Sequence, residues 1–264
     1  MTRIVGSILV RNEDLFVERA VLNIVDFCDE ILVQEHESTD RTREILDALA
    51  LKHPKIKVET VDHPHASSTA IEHLADTPAW IFGVDGDEIY DPAGLTRLRA
   101  ELLSGLYDDW WALFGNVLHC TAVDVAAAQV TGYLAPPSKS MTKLYNFRML
   151  RSVDPNARLR LAGRNDVFHD PAMRLRRLDL HEKHSWEESW FRCLHTCFVP
   201  RSTLDDPATT ARNNVSENFN WARRFKNTVR KVFGLSPKSP YKLEKYRRGG
   251  IVERNVPEFF PRIS

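Results

Sequence analysis

Apolar and polar positions alternate in blocks along the first 90 residues. Ile4 to Val10 is a short apolar run rich in β-branched residues, which predicts a buried first strand. It ends at the polar cluster Arg11-Asn12-Glu13-Asp14. Phe16, Ala20, Ile24 and Phe27 then recur at helical spacing, so a helix is expected from Asp14 to about Phe27. Glu30 to Val33 reads as the second strand, followed by the polar loop Glu35 to Asp40. A side-chain oxygen at Ser38, Thr39 or Asp40 can cap the next helix, whose inner face carries Ile45, Leu46, Leu49 and Ala50. Lys55 to Val61 is a third strand, Ser67 to Ala75 a helix, and Trp80 to Val84 a fourth strand. Strand and helix alternate with connections long enough for parallel pairing, which predicts a doubly wound α/β half-domain.

In such sheets ligands bind beyond the carboxyl ends of the strands. Three of those ends carry polar clusters: Asn12-Glu13, Glu35 to Asp40, and Asp85 to Glu88. The last is the sharpest. An apolar strand runs directly into Asp85, Asp87 and Glu88, and like charges so close together repel unless something neutralises them. A hard divalent cation, Mn2+ or Mg2+, prefers such oxygens and can in turn meet the phosphates of a nucleotide. Gly86 allows a tight turn between the aspartates and keeps side-chain bulk away from a ligand. No GxGxxG follows the first strand and no Walker lysine loop occurs, so the phosphates are expected to meet metal rather than a glycine-rich cradle.

Composition narrows the class. With 264 residues and 43% apolar content the chain can build one substantial core, and its formal net charge is zero. That zero hides an asymmetry: from Arg201 onward 14 Lys/Arg face 6 Asp/Glu. Four cysteines are too few for a disulfide scaffold and suggest a reducing compartment. No cleavable leader and no run approaching a membrane span are seen, so a cytoplasmic protein is expected.

Three stretches, Ile4 to Glu13, Glu35-His36-Glu37-Ser38-Thr39-Asp40-Arg41-Thr42 and Val84-Asp85-Gly86-Asp87-Glu88, together resemble the family 2 glycosyltransferases of GT-A fold. The resemblance is good over roughly residues 1–100. It implies a Rossmann-like, mostly parallel central sheet flanked by helices. It further implies an inverting transferase that moves a sugar from a nucleotide-sugar donor, most often a UDP-sugar, to an acceptor hydroxyl or amine. Donor-binding positions would be Val10, Asn12, Glu13, Glu35, Asp40, Asp85 and Gly86. Glu35 falls where the family usually places an aspartate on the uracil base, Asp85 would sit near the ribose and diphosphate, and Asp87 would bind the metal. Two departures stand out: Glu replaces Asp at position 35, and His65 to Ala70 lacks the basic-plus-asparagine pattern usual before this helix.

Beyond residue 100, Asp91-Pro92 to Ser104 reads as a helix, Trp110 to Cys120 as one long strand, and Lys143 to Leu150 as another. Ala122 to Ser140 is expected to be a loop or hairpin over the crevice. The resemblance makes an acid between Arg158 and Asp170 the general base; Asp166 and Asp170 are the candidates, with Asp166 preferred because it follows a glycine turn. It likewise suggests a C-terminal histidine in the metal shell, and His181 fits that position. Cys193 and Cys197, four apart, read as buried helix cysteines rather than a zinc site.

The basic, aromatic stretch from Trp221 to Phe233 predicts a helix in a C-terminal extension. It packs on the core, lies on an anionic membrane surface, or docks an acidic acceptor such as a carrier protein or lipid carrier. Residues 221–250 are thus the candidate peripheral contact, and no nucleic-acid module accompanies the charge. The expected division is a catalytic domain over 1–200, with a nucleotide-sugar half to residue 100 and an acceptor half after it, and an extension over 201–264. Acceptors compatible with this reading are a small molecule, a lipid carrier, a glycan or a carrier-bound substrate. A nucleotidyltransferase and a sugar-nucleotide-binding scaffold without turnover are the rivals.

Overall fold

The structure, a computed structural model, describes residues 1–63, 66–154, 165–205 and 244–262. Strands β1 (Arg3–Val10), β2 (Glu30–Glu35), β3 (Ile56–Thr60) and β4 (Ala79–Asp85) alternate with helices α1 (Val17–Val25), α2 (Thr42–Lys52) and α3 (Ala66–Ile71). The four strands lie side by side in the order β4-β1-β2-β3, all parallel, as the hydrophobic pattern predicts. Then come β5 (Glu88–Tyr90), α4 (Pro92–Leu103), β6 (Ala112–Phe114), β7 (Asn116–Asp124), β8 (Gln129–Ala135) and β9 (Lys143–Asn146). The rest is β10 (Leu150–Ser152), β11 (Val167–Phe168), β12 (Arg177–Asp179), α5 (Leu180–Lys183), β13 (Arg192–His195) and β14 (Ile251–Asn255).

Two large sheets result. The central one runs β12-β6-β9-β4-β1-β2-β3, parallel throughout except for β9, which is antiparallel to both neighbours. This is the Rossmann-like, helix-flanked architecture expected for GT-A. The second sheet runs β14-β8-β7-β13-β5. One face of the central sheet, with Ile8, Phe82 and Leu113, packs on α1, α2 and α4. The other, with Val5, Ile81 and Tyr145, packs on Ile71, Leu74, Phe147 and Phe168.

Three expectations are corrected. Trp110 to Cys120 is not one strand: it breaks at Gly115, so that β6 joins the central sheet and β7 the second. A Cβ on Gly115 would lie 2.0 Å from the Phe191 carbonyl oxygen, so the crossing needs glycine. Lys143 to Leu150 is strand only to Asn146, where the Asn146 side chain accepts from the Arg148 N–H and starts a 3-10 turn. Cys193 and Cys197 are not on a helix, because Arg192–His195 forms β13 between β5 and β7. The hairpin expected within Ala122 to Ser140 is formed by β7 and β8, with β14 along its outer edge. The helix expected at Trp221 to Phe233 lies outside the described residues, and among those described no helix is long and apolar enough to cross a membrane.

Candidate functional site

The three polar clusters converge. Parallel pairing sets Val10 opposite Glu35 and Leu9 opposite Asp85, so the carboxyl ends of β1, β2 and β4 share one edge. The loops beyond them are stitched together by side chains. The Asn12 N–H donates to Ser38 Oγ (3.0 Å), the Thr39 N–H to Asn12 Oδ1 (2.8 Å), and the Glu13 N–H to Thr42 Oγ1 (2.8 Å). Glu35 is 2% exposed and accepts from the Ser38 N–H at 2.6 Å, so its carboxylate shapes the loop. Asp40 caps the start of α2 through the Thr42 N–H (2.9 Å) and accepts from Ser202 Oγ (2.6 Å). Gly86 has a different reason from the one its sequence suggests: a Cβ there would lie 2.1 Å from Glu13 Oε2, so glycine makes room for Glu13.

Asp85, Asp87 and Glu88 point carboxylate oxygens into one group, within 4.8 Å of one another. Two cations that sequence reasoning missed lie against them. Lys143, at the start of β9, is 3.0 Å from Asp85 and 3.4 Å from Glu88. Burial alone would discharge it, but the two carboxylates hold its pKa above the usual lysine value. For Asp85, burial works against ionisation and Lys143 outweighs it, so the carboxyl stays below its ordinary range. Glu88, fully buried, is pushed well above it by desolvation that Lys143 only partly offsets, and Tyr90 donates to it at 3.1 Å. The second cation is Arg201, which pairs with Asp87 and lies 3.3 Å from Glu13.

Asp87 is 1% exposed and faces His195, whose Nε2 is 3.6 Å from Asp87 Oδ2. The strand register explains this: β13 runs antiparallel to β5 with His195 opposite Glu88, next to Asp87 in the chain. Desolvation pushes His195 down to about 3, so its ring is neutral at ordinary pH. The structure therefore brings His195, not His181, to Asp87. His181 is the second residue of α5, and its Nδ1 lies 3.4 Å from the Phe114 carbonyl oxygen. Oxygen donors with one imidazole suit Mn2+ or Mg2+, so the residues present fit a divalent cation.

Asp166 and Asp170 lie in another part of the molecule's architecture. Asp166 Oδ1 accepts from the Asp154 N–H at 2.7 Å, and its side chain helps wall a cavity of about 200 Å³ with Trp111, Phe114, Tyr145, Arg174 and Arg177. Asp170 is exposed and caps a 3-10 turn through the Ala172 N–H (2.9 Å). Alternation along β9 places Tyr145 of this cavity and Lys143 of the carboxylate group on the same sheet face. The crevice beside Lys143 is lined by Ser7, Leu9, Ser67, Gly83 and Asp85.

A family model described as glycosyl transferase family 2 matches residues 8–182. The chain belongs to glycosyl transferase family 2. The matched span includes every loop of the edge just described and both Asp85 and Asp87, while His195 and Arg201 lie past its end. No curated protein matches this family 2 member. Among similar solved structures is glucosyl-3-phosphoglycerate synthase from Mycobacterium tuberculosis in complex with Mn2+, UDP-glucose and phosphoglyceric acid. It is 13% identical over 89% of this chain and 82% of that chain, with a TM-score of 0.40. A mannosyltransferase from Pyrobaculum calidifontis in complex with GDP-Man and Mn2+ is 14% identical over 90% and 66%, with a TM-score of 0.41. A 4-diphosphocytidyl-2C-methyl-D-erythritol synthase from Anaerococcus prevotii is 12% identical over 56% and 71%, with a TM-score of 0.34.

Proposed function

We propose that this family 2 glycosyltransferase is a metal-dependent, inverting enzyme that takes a hexosyl or N-acetylhexosaminyl group from a nucleotide diphosphate sugar, with a UDP-sugar favoured. The observation that carries the reading is the pairing of Asp87 with His195 across the edge where the loops after β1, β2 and β4 meet. Asp87 and His195 would hold Mn2+ or Mg2+, with Asp85 beside them. When bound, the cation supplies positive charge to the departing diphosphate.

The chain's own residues do the remaining work. Asn12, Ser38 and Thr39 lock two loops together and give the nucleotide a rigid rim. Glu35 supports that rim from below, so the base is read by the loop that Glu35 shapes. Lys143, fixed between Asp85 and Glu88 in the crevice wall, adds a second positive charge along the diphosphate path. The acceptor enters the cavity walled by Trp111, Tyr145 and Arg177, where Asp166 is better placed than the exposed Asp170 to take the proton of the attacking hydroxyl or amine. Attack opposite the leaving diphosphate inverts the anomeric carbon.

The test compares donor turnover in wild type, Asp87→Ala and His195→Ala by release of free nucleoside diphosphate, with folding checked by circular dichroism. Both variants should lose at least about 100-fold in turnover. Undiminished activity in folded Asp87→Ala would overturn the reading. Release of pyrophosphate instead of nucleoside diphosphate would point to nucleotidyl transfer.

One observation favours a second reading, binding without turnover. Arg201 already neutralises Asp87, and Lys143 already neutralises Asp85. On that reading UDP with Mn2+ would raise the melting temperature while no sugar was released.

A further inference from the structure

The metal reading leaves one question open to the chemistry of the rings: what keeps His195 Nε2 bare toward Asp87? Only a neutral imidazole can offer a lone pair to a cation, and a neutral ring carries one proton, on either nitrogen. If it sat on Nε2, His195 would donate to Asp87 and have no lone pair for a cation. The answer lies behind His195, on a strand that the proposed chemistry does not otherwise use.

His119, on β7, stands opposite His195 in the parallel register. Its Nε2 lies 2.9 Å from the Lys139 carbonyl oxygen. A carbonyl only accepts, so the His119 proton is on Nε2. Its Nδ1 then carries a lone pair, and it lies 2.9 Å from His195 Nδ1. One of those two nitrogens must donate, and only His195 Nδ1 can. The His195 proton is thereby held on Nδ1, and Nε2 is left with its lone pair facing Asp87 Oδ2.

The fold protects this arrangement. The Lys139 N–H donates to the Lys245 carbonyl oxygen at 3.1 Å, which ties down the backbone at the residue whose carbonyl meets His119. Tyr246 stacks on the His119 ring (centroids 4.4 Å apart) and meets the His195 ring edge-on (5.4 Å). Both histidines are buried, His119 fully, so water has little access to the bond between them. Cys197 joins the two histidines in a second group of potential donors. Burial keeps its thiol protonated, and the two Nδ1 atoms already share a hydrogen bond, so this second group is closed.

We infer that His119 is a positioning residue that sets the tautomer of His195, turning its Nε2 into a ligand atom aimed at the cation site. Metal-bound histidines commonly have their other nitrogen held by a carbonyl or carboxylate. Here that role is passed from the Lys139 carbonyl through a second imidazole. The inference rests on the proposal that Asp87 and His195 bind the cation, and two measurements separate the two.

The first needs no metal. Nitrogen-15 correlation spectra of the histidine rings, recorded on the full chain, should show His195 protonated on Nδ1 and bare on Nε2. A proton on His195 Nε2 would overturn the inference whatever the metal does. The second is Mn2+ affinity, read by electron paramagnetic resonance of free Mn2+. His119→Leu removes the acceptor and should weaken binding about 10- to 100-fold. His119→Gln offers an oxygen to His195 and an N–H to Lys139, and should stay within about threefold of wild type. Equal affinity in wild type and His119→Leu, or equal loss in both variants, would overturn the role of His119. Wild-type protein that binds Mn2+ no better than Asp87→Ala would instead overturn the metal proposal, leaving the tautomer result to stand by itself.

Discussion

His36 shows how a single side chain can make the whole fold sensitive to acid. It is 1% exposed, and burial, with Arg11 nearby, pushes its pKa down to about 4 from the usual 6.5. The native state therefore binds fewer protons than the unfolded chain between those values, and stability falls as pH drops through that window. Urea unfolding should show a loss of about 2–3 kcal/mol between pH 7 and pH 4 attributable to this residue, and His36→Gln should flatten the slope. Lys143 poses the opposite case, a buried charge that must stay charged. Lys143→Met would leave Asp85 and Glu88 without their shared cation. It is expected to lower stability at pH 7 by about 3 kcal/mol, less at acid pH once Asp85 is protonated, as thermal unfolding across pH would reveal. Asp85 and Asp87 stood out in the sequence because acids at a strand end are chemically conspicuous. Their cations did not, because Lys143 and Arg201 lie 58 and 114 residues from their partners and only the fold brings them in.

At the scale of elements, the periodic segments were readable and the crossings were not. The first four strands follow from short apolar runs bounded by polar residues and the first helix from 3.6-residue spacing, with ends displaced by one to four residues. The Trp110 to Cys120 segment defeats the same logic. Its aromatic and aliphatic residues read as one strand across Gly115-Asn116, and the break depends on Gly115 meeting a carbonyl of Phe191, 76 residues later. Gly115→Ala should therefore cost about 3 kcal/mol or more and lower the denaturation midpoint, whereas Gly250→Ala, with nothing within 4 Å, should leave it unchanged. The Cys193-to-Cys197 spacing fits one helical turn as well as a strand with a cysteine beyond it. Local sequence cannot choose between them; the open slot between β5 and β7 does. On a helix His195 would point away from the face shared by Cys193 and Cys197, so the sequence offers no link from it to Asp87.

Across the whole molecule, the distant C-terminal residues behave as part of the main body. Ile251–Asn255 completes the second sheet, and Phe259 is fully buried with Trp186 stacked on it at 5.8 Å. Asn23 on α1 donates to the Phe259 carbonyl at 2.9 Å, and Glu258 meets Arg192 at 3.0 Å. Phe259→Ala should lower stability by about 3–5 kcal/mol in urea unfolding, as loss of a core aromatic does. A result under 1 kcal/mol would mean that these residues are a loosely held appendage.

The place of β13 in its sheet has a temporal corollary. β5 and β7 do not touch; each pairs with β13, which arrives about 100 residues after β5 in the chain. Until that late strand slots in, Asp87 and His195 are strangers. During refolding from urea, capture of Mn2+ should lag behind recovery of helical signal and coincide with the slowest kinetic phase.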